Sequence, residues 1–95
     1  MQKADRCEYK TLEIIVQGRV QGVGYRYFTR QQAQLYGIRG TVKNQVDGSV
    51  MVKAQGENLT AFCERLREGP AFARVNELII TELTVSEKYE GFRIV

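Results

Sequence analysis

The stretch LEIIVQGRVQGVGYRYFTRQQAQLYG, residues 12–37, decides how the chain must be read. Leu12, Ile14 and Val16 alternate against Glu13 and Gln17, the period of a half-buried strand. Gly18, Gly22 and Gly24 then leave a loop with few side chains, and the loop ends on Arg26. Residues 25–36 contain no breaker and stop at Gly37, a C-terminal cap, so they predict a helix. The apolar pattern of this helix is imperfect, because glutamines occupy its middle. The N–H groups at a helix start are unpaired and form the positive end of the dipole. Gly22 and Gly24 let the preceding backbone curl until several N–H groups face one anion. Arg26, at the rim, can offer its planar fork to two phosphate oxygens. A glycine-rich turn followed by a surface arginine has the same pattern, and the loop's physics alone leaves both readings open.

Working outward, residues 38–44 and 49–55 read as two more strands. Val50, Val52 and Ala54 share one face, and the Asp47–Gly48 dipeptide between the strands signals a hairpin. In NLTAFCERLREGP, residues 58–70, Asn58 can cap a helix that Gly69 and Pro70 end. Leu59, Phe62, Cys63 and Leu66 fall at i, i+3, i+4 and i+7 and form its apolar stripe, which makes Cys63 a core residue. Residues 73–83 and 91–95 read as closing strands joined by the polar TVSEKYE. The order β-α-β-β-α-β plus a short final strand predicts an α+β, ferredoxin-like split βαβ sandwich. Its antiparallel sheet carries both helices on one face. The 95 residues suit a single domain, 1–95.

Composition narrows the function. The chain has no histidine, which removes Ser–His and Cys–His nucleophiles and the commonest general base. Cys7 and Cys63 lie far apart without C-x-x-C spacing and make a poor zinc site. Sequence cannot measure the gap between them, and two lone cysteines in a cytosolic protein are ordinarily thiols. Asp5 and Asp47 are the only aspartates, and the glutamates form no ligand-like cluster, so no metal site and no cofactor is expected. Apolar runs such as residues 14–16 stop far short of the ~20 residues of a membrane helix. The N-terminal MQKADRCEYK lacks the apolar core of a signal peptide, so a cytoplasmic location is expected. The net charge of +3 favours anionic partners without singling out nucleic acid. RNA-recognition modules share the topology but stack bases on aromatic rings of the central strands, and SVMVKAQ has none. Tyr25, Tyr27 and Phe28 fall on the first helix, where they are expected in the core. The loop is neither a Walker A motif, since no G-K-[ST] follows, nor G-x-G-x-x-G.

VQGRVQGVGYR, residues 16–26, resembles the signature of the acylphosphatase family. GTVKNQVDGSVMVKAQG, residues 40–56, resembles the family's second signature, and the resemblance extends over essentially the whole chain. Tyr25 stands where the family usually has phenylalanine, and Thr41 where an aromatic is common. The resemblance implies hydrolysis of the carboxyl–phosphate bond of acyl phosphates, giving a carboxylate and inorganic phosphate. It implies backbone donors at Gln21, Gly22, Val23, Gly24 and Tyr25, a phosphoryl clamp at Arg26, and a water-orienting amide at Asn44. Partners would be a small acyl phosphate, with inorganic phosphate as product and competitive inhibitor, and the protein a monomer binding neither nucleic acid nor membrane. Such chemistry needs positioning and fixed dipoles more than acid, base or metal. Read without the resemblance, Asn44 is a residue before a turn, and the loop fits a non-catalytic anion-binding module.

Overall fold

The computed structural model describes residues 9–95, so Cys7 and any pairing it makes lie outside the described residues. The elements run β1 (Tyr9–Arg19), α1 (Tyr25–Tyr36), β2 (Arg39–Asn44), β3 (Val50–Gln55), α2 (Leu59–Glu68), β4 (Arg74–Val85) and β5 (Phe92–Ile94). The sheet order is β4-β1-β3-β2-β5. Every neighbouring pair is antiparallel except β2 with β5, which run parallel. The ferredoxin-like arrangement holds, and its final strand corrects the expectation of a wholly antiparallel sheet. After β4 at one edge, the chain crosses to the opposite edge and enters β5 in the direction of β2. The bonds Gly40 N–H to Gly91 C=O (2.9 Å) and Val95 N–H to Val42 C=O (3.0 Å) fasten it there.

The alternation read in the sequence becomes the core. Ile14 pairs with Val52, and Val52 with Val42; all three are fully buried on the face covered by the helices. The α2 stripe of Leu59, Phe62, Cys63 and Leu66 packs onto this face. Phe62 meets Phe92 of β5 edge-on at 6.3 Å. Cys63 is buried and among the described residues is bonded to no other cysteine, and burial pushes its thiol pKa up. α1 buries Tyr25, Thr29, Gln32 and Ala33, a helical period made mostly of polar side chains. This resolves its imperfect apolar pattern, because the Gln32 Oε1 accepts from the Arg65 Nε at 3.1 Å and ties α1 to α2.

Two capping details differ from expectation. Asn58 makes no side-chain cap on α2; its amide reaches back to the Tyr36 carbonyl at 3.4 Å, at the end of α1. Gly37 does cap α1, with φ 69° and a bond from Ile38 N–H to Ala33 C=O. At the far end of the sheet, the buried Gln55 uses its whole amide. Its Nε2 donates to Thr11 Oγ1 and the Glu87 carbonyl, both at 3.0 Å, and its Oε1 accepts from Tyr89 N–H at 2.8 Å. The connection leading into β5 is thereby held against the sheet.

Candidate active site

β1 extends to Arg19, so Gly18 belongs to the strand and not to the loop. The β1–β4 register shifts between Gln17 and Gly18, where Asn76 is the extra residue on β4. A Cβ on Gly18 would lie 2.1 Å from the Arg74 carbonyl oxygen and 2.8 Å from the Asn76 nitrogen, so the bulge admits only glycine. The loop proper is residues 20–24. Gly22 (φ 77°) and Gly24 (φ 79°) are left-handed, and both have open space where a Cβ would stand. Backbone conformation, not crowding, demands glycine there.

Gly24 is the N-cap of α1, with no side-chain cap and no acidic residue in the first turn. The helical ladder begins with Phe28 N–H donating to Gly24 C=O at 3.0 Å. The N–H groups of Tyr25, Arg26 and Tyr27 therefore precede the ladder. Among the described residues, no carbonyl or side chain accepts from the N–H groups of Gln21, Gly22, Val23 or Gly24. The result is a row of unpaired donors at the positive end of a helix. Among the described residues the one ion pair is Arg65 with Glu68, so no carboxylate there neutralises Arg26.

The opposite wall is the β2–β3 hairpin. Asn44 ends β2, pairs with Val50 and is exposed. Its side chain takes no part in the turn, which other groups build. Gln45 N–H donates to Ser49 C=O at 2.9 Å, and Gly48 N–H to Gln45 C=O at 3.1 Å. Asp47 Oδ1 accepts from Ser49 N–H at 2.9 Å and from Ser49 Oγ at 2.6 Å, and these bonds hold its carboxyl below the usual range. Gln21 joins the two walls. Its Nε2 donates to the Gln45 and Ser49 carbonyls, both at 2.8 Å, which uses both amide hydrogens. Sequence reading gave Gln21 only a backbone donor. Its side-chain role depends on a hairpin more than twenty residues away, and no local signal carries it.

Loop and hairpin enclose a cavity of about 200 Å³. Gly22, Gly24, Tyr25, Arg26 and Asn44 line it together, joined by Val20, Tyr27 and Ile94. Gln21 and Val23 stand outside the lining; Val23 packs against the core. Tyr25 turns its ring inward and donates its hydroxyl to the Leu66 carbonyl at 2.7 Å. That carbonyl has no helical donor, because the residue four places on is Pro70. Burial pushes the Tyr25 hydroxyl well above its usual range, so it stays a donor. The tyrosine at this position thus fills a core site and satisfies the end of α2. Tyr27 is 55% exposed, against the expectation of a core role: it points away from the buried face and into the mouth of the cavity.

Comparison with known proteins bears on this arrangement. The acylphosphatase family model matches residues 12–94. An acylphosphatase of Archaeoglobus fulgidus is 46% identical over 85 residues, 87% of this chain and 94% of that one. One from Clostridium acetobutylicum is 43% identical over 84 residues, 86% of this chain and 92% of that one. The crystal structure of acylphosphatase from Bacillus subtilis superposes with a TM-score of 0.87 at 40% identity. It covers 90% of this chain and 98% of its own.

Proposed function

The chain belongs to the acylphosphatase family, enzymes that hydrolyse acyl phosphates, and from that premise we propose which groups perform the reaction. The backbone N–H groups of Gln21, Gly22, Val23, Gly24 and Tyr25 hold the phosphoryl oxygens, and Arg26 clamps two of them. Asn44 orients the attacking water, and no metal ion takes part. One observation carries the reading: Gly22, Gly24 and Tyr25 with their unpaired N–H groups, a guanidinium and an amide free of the turn border one small cavity, and Gln21 and Val23 lie between them along the loop. Had Asn44 served the turn, its amide would bond within it; Asp47, Ser49, Gln45 and Gln21 make those bonds instead.

The water oxygen forms a bond to phosphorus while the bond from phosphorus to the acyl oxygen breaks. The electron pair leaves on the carboxylate, and the water's proton ends on the released phosphate. Charge spreads over the phosphoryl oxygens in the transition state, where fixed N–H dipoles and a guanidinium stabilise it without reorganising. Asn44 is neutral and takes no proton; it fixes the water's direction, which lowers the entropic part of the barrier. Among the described residues, no carboxylate or thiol lines the cavity to hold a divalent ion. One chain supplies every group, so the monomer is the active unit, and inorganic phosphate competes with substrate.

The test is hydrolysis of an acyl phosphate with chelator present, followed by phosphate titration of variants. The protein turns over in EDTA, and phosphate inhibits competitively. Arg26→Ala loses phosphate affinity and about a hundredfold or more in kcat, the scale of one lost oxyanion donor. Arg26→Lys also fails, because a point charge cannot copy the fork. Activity abolished by EDTA and restored by a divalent ion contradicts the metal-free mechanism; unchanged phosphate affinity in Arg26→Ala removes Arg26 from the site.

A further inference from the structure

A second cavity, of about 320 Å³, lies at the opposite end of the sheet. The ends of three strands build it: Tyr9 and Lys10 open β1, Arg39 opens β2 and Gln55 ends β3. Arg39 pairs with Gln55, and Gln55 with Thr11, so the three strands finish in one row. Asn44, at the first cavity, ends the strand that Arg39 opens, which sets the two residues about 17 Å apart at ~3.3 Å a residue. Lys88 joins the lining from the connection between β4 and β5. Gln55 bonds the backbone of Glu87 and Tyr89, on either side of Lys88, and holds that connection at the rim. Two features of the lining are left without a counterpart. Among the described residues, Arg39 Nε is the one buried side-chain nitrogen or oxygen that finds no hydrogen-bond partner. Lys10, Arg39 and Lys88 share a single lining carboxylate, the exposed Glu57, and among the described residues none of the three forms an ion pair.

We propose that this cavity binds a small oxyanion carrying two or more negative charges, with the Arg39 Nε–H as its buried donor and Lys10 and Lys88 as its charged rim. The site is distinct from the acyl phosphate cavity and does not depend on the reading given to that one. A buried N–H without an acceptor costs the desolvation of the group, and more when the group is charged. Cations gathered around one hollow also repel one another. A water molecule answers the first cost and leaves the second. An oxyanion answers both, because its oxygens accept from the planar guanidinium while its charge offsets the lysines. Three cations less one carboxylate leave two positive charges in the lining, which a dianion balances and a monoanion does not. The Gln55 amide takes no part, since both its hydrogens are spent on Thr11 and Glu87.

Two-dimensional NMR of the whole chain, recording backbone amides and arginine Nε–H groups, reads both cavities at once. Pyrophosphate and citrate serve as probes, one a phosphate and one a carboxylate oxyanion, with chloride at matched ionic strength as the control. The expected result is a saturable set of shifts at Tyr9, Gln55, Gly56, Lys88 and the Arg39 Nε–H, with an affinity of its own and separate from any shifts at residues 20–26. The probe that saturates at the lower concentration tells a phosphate ligand from a carboxylate one. Arg39→Ala is expected to weaken this binding at least about tenfold, the scale of one charge-assisted hydrogen bond. Lys88→Ala weakens it by about threefold, the scale of an exposed ion pair. Arg39→Lys also binds more weakly than the wild type, because it keeps the charge and loses the Nε–H. Shifts that chloride reproduces, shifts confined to the loop, or wild-type affinity in Arg39→Ala or Arg39→Lys overturn the site. So does an Arg39 Nε–H that moves in Asp5→Asn or Glu8→Gln with no anion added, since a carboxylate of the chain itself then holds the guanidinium.

Discussion

α1 and α2 lie on the same face of the sheet, but they are held there by different physics. α2 buries Leu59, Phe62, Cys63 and Leu66, an apolar stripe whose attachment depends on area and fit. α1 buries Tyr25, Thr29, Gln32 and Ala33 and is placed by bonds with direction. The Tyr25 hydroxyl reaches the Leu66 carbonyl, Gln32 meets Arg65, and Arg65 also lies over the Phe28 ring at 5.7 Å. These bonds all end on α2, so they fix α1 relative to α2, and the apolar stripe of α2 seats the pair on the sheet. α1 carries Arg26 and the unpaired N–H groups at its start, so it is the helix whose position the proposed chemistry depends on.

Three substitutions can break or sharpen this contrast. The largest stability effect falls on α2: Phe62→Ala is expected to cost about 3–5 kcal/mol, the transfer and cavity cost of a fully buried ring. The surviving folded protein keeps its KM. Chemical denaturation with parallel kinetics checks this, and a large rise in KM would make α2 a part of the site. Next comes Gln21→Ala, which severs the tie between loop and hairpin by removing two bonds, while the Gln45 and Ser49 carbonyls keep those they accept from Gly48 and Gln45 N–H. It is expected to cost about 1–3 kcal/mol of stability. It also lowers kcat/KM about tenfold, or ~1.4 kcal/mol in the barrier, because loop and Asn44 lose their common brace. The smallest is Tyr25→Phe, which keeps the buried ring and removes one directed bond. A loss of about 1–2 kcal/mol, with turnover near that of the parent, fits an orphaned Leu66 carbonyl. No loss of stability at all would show that the bond contributes nothing to placing α1.

Features that repeat locally were legible in the sequence. The strand alternation, the Asp47–Gly48 turn and the α2 stripe arose from period and turn chemistry, and the structure keeps each of them. Gly22 and Gly24 announced themselves because positive φ excludes almost every other residue. What escaped depends on partners distant along the chain. Gly18 looked like part of the loop, yet its glycine is required by the close approach of β4, more than fifty residues later. The polar face of α1 read as a flaw because Gln32 finds its partner, Arg65, only after both helices dock. Tyr27 looked like core from its ring, whereas its place on the helix turns it toward the cavity mouth. The direction of β5 depended on which sheet edge the chain reached after β4. For Asn44, position was legible and role was not: the same letter before a turn serves a hairpin or a water.

The central claim is that Asn44 acts on the nucleophile while the loop and Arg26 hold the phosphate, and Asn44→Ala tests it most directly. Kinetics, phosphate inhibition and thermal unfolding are measured on the same variant. The account predicts a kcat lowered at least about a hundredfold, with KM and phosphate affinity little changed, as when a group used only in the transition state is removed. Unfolding should match the wild type, since the exposed amide makes no bond within the turn. A stable Asn44→Ala protein with wild-type kcat would contradict the account, as would lowered stability with normal turnover.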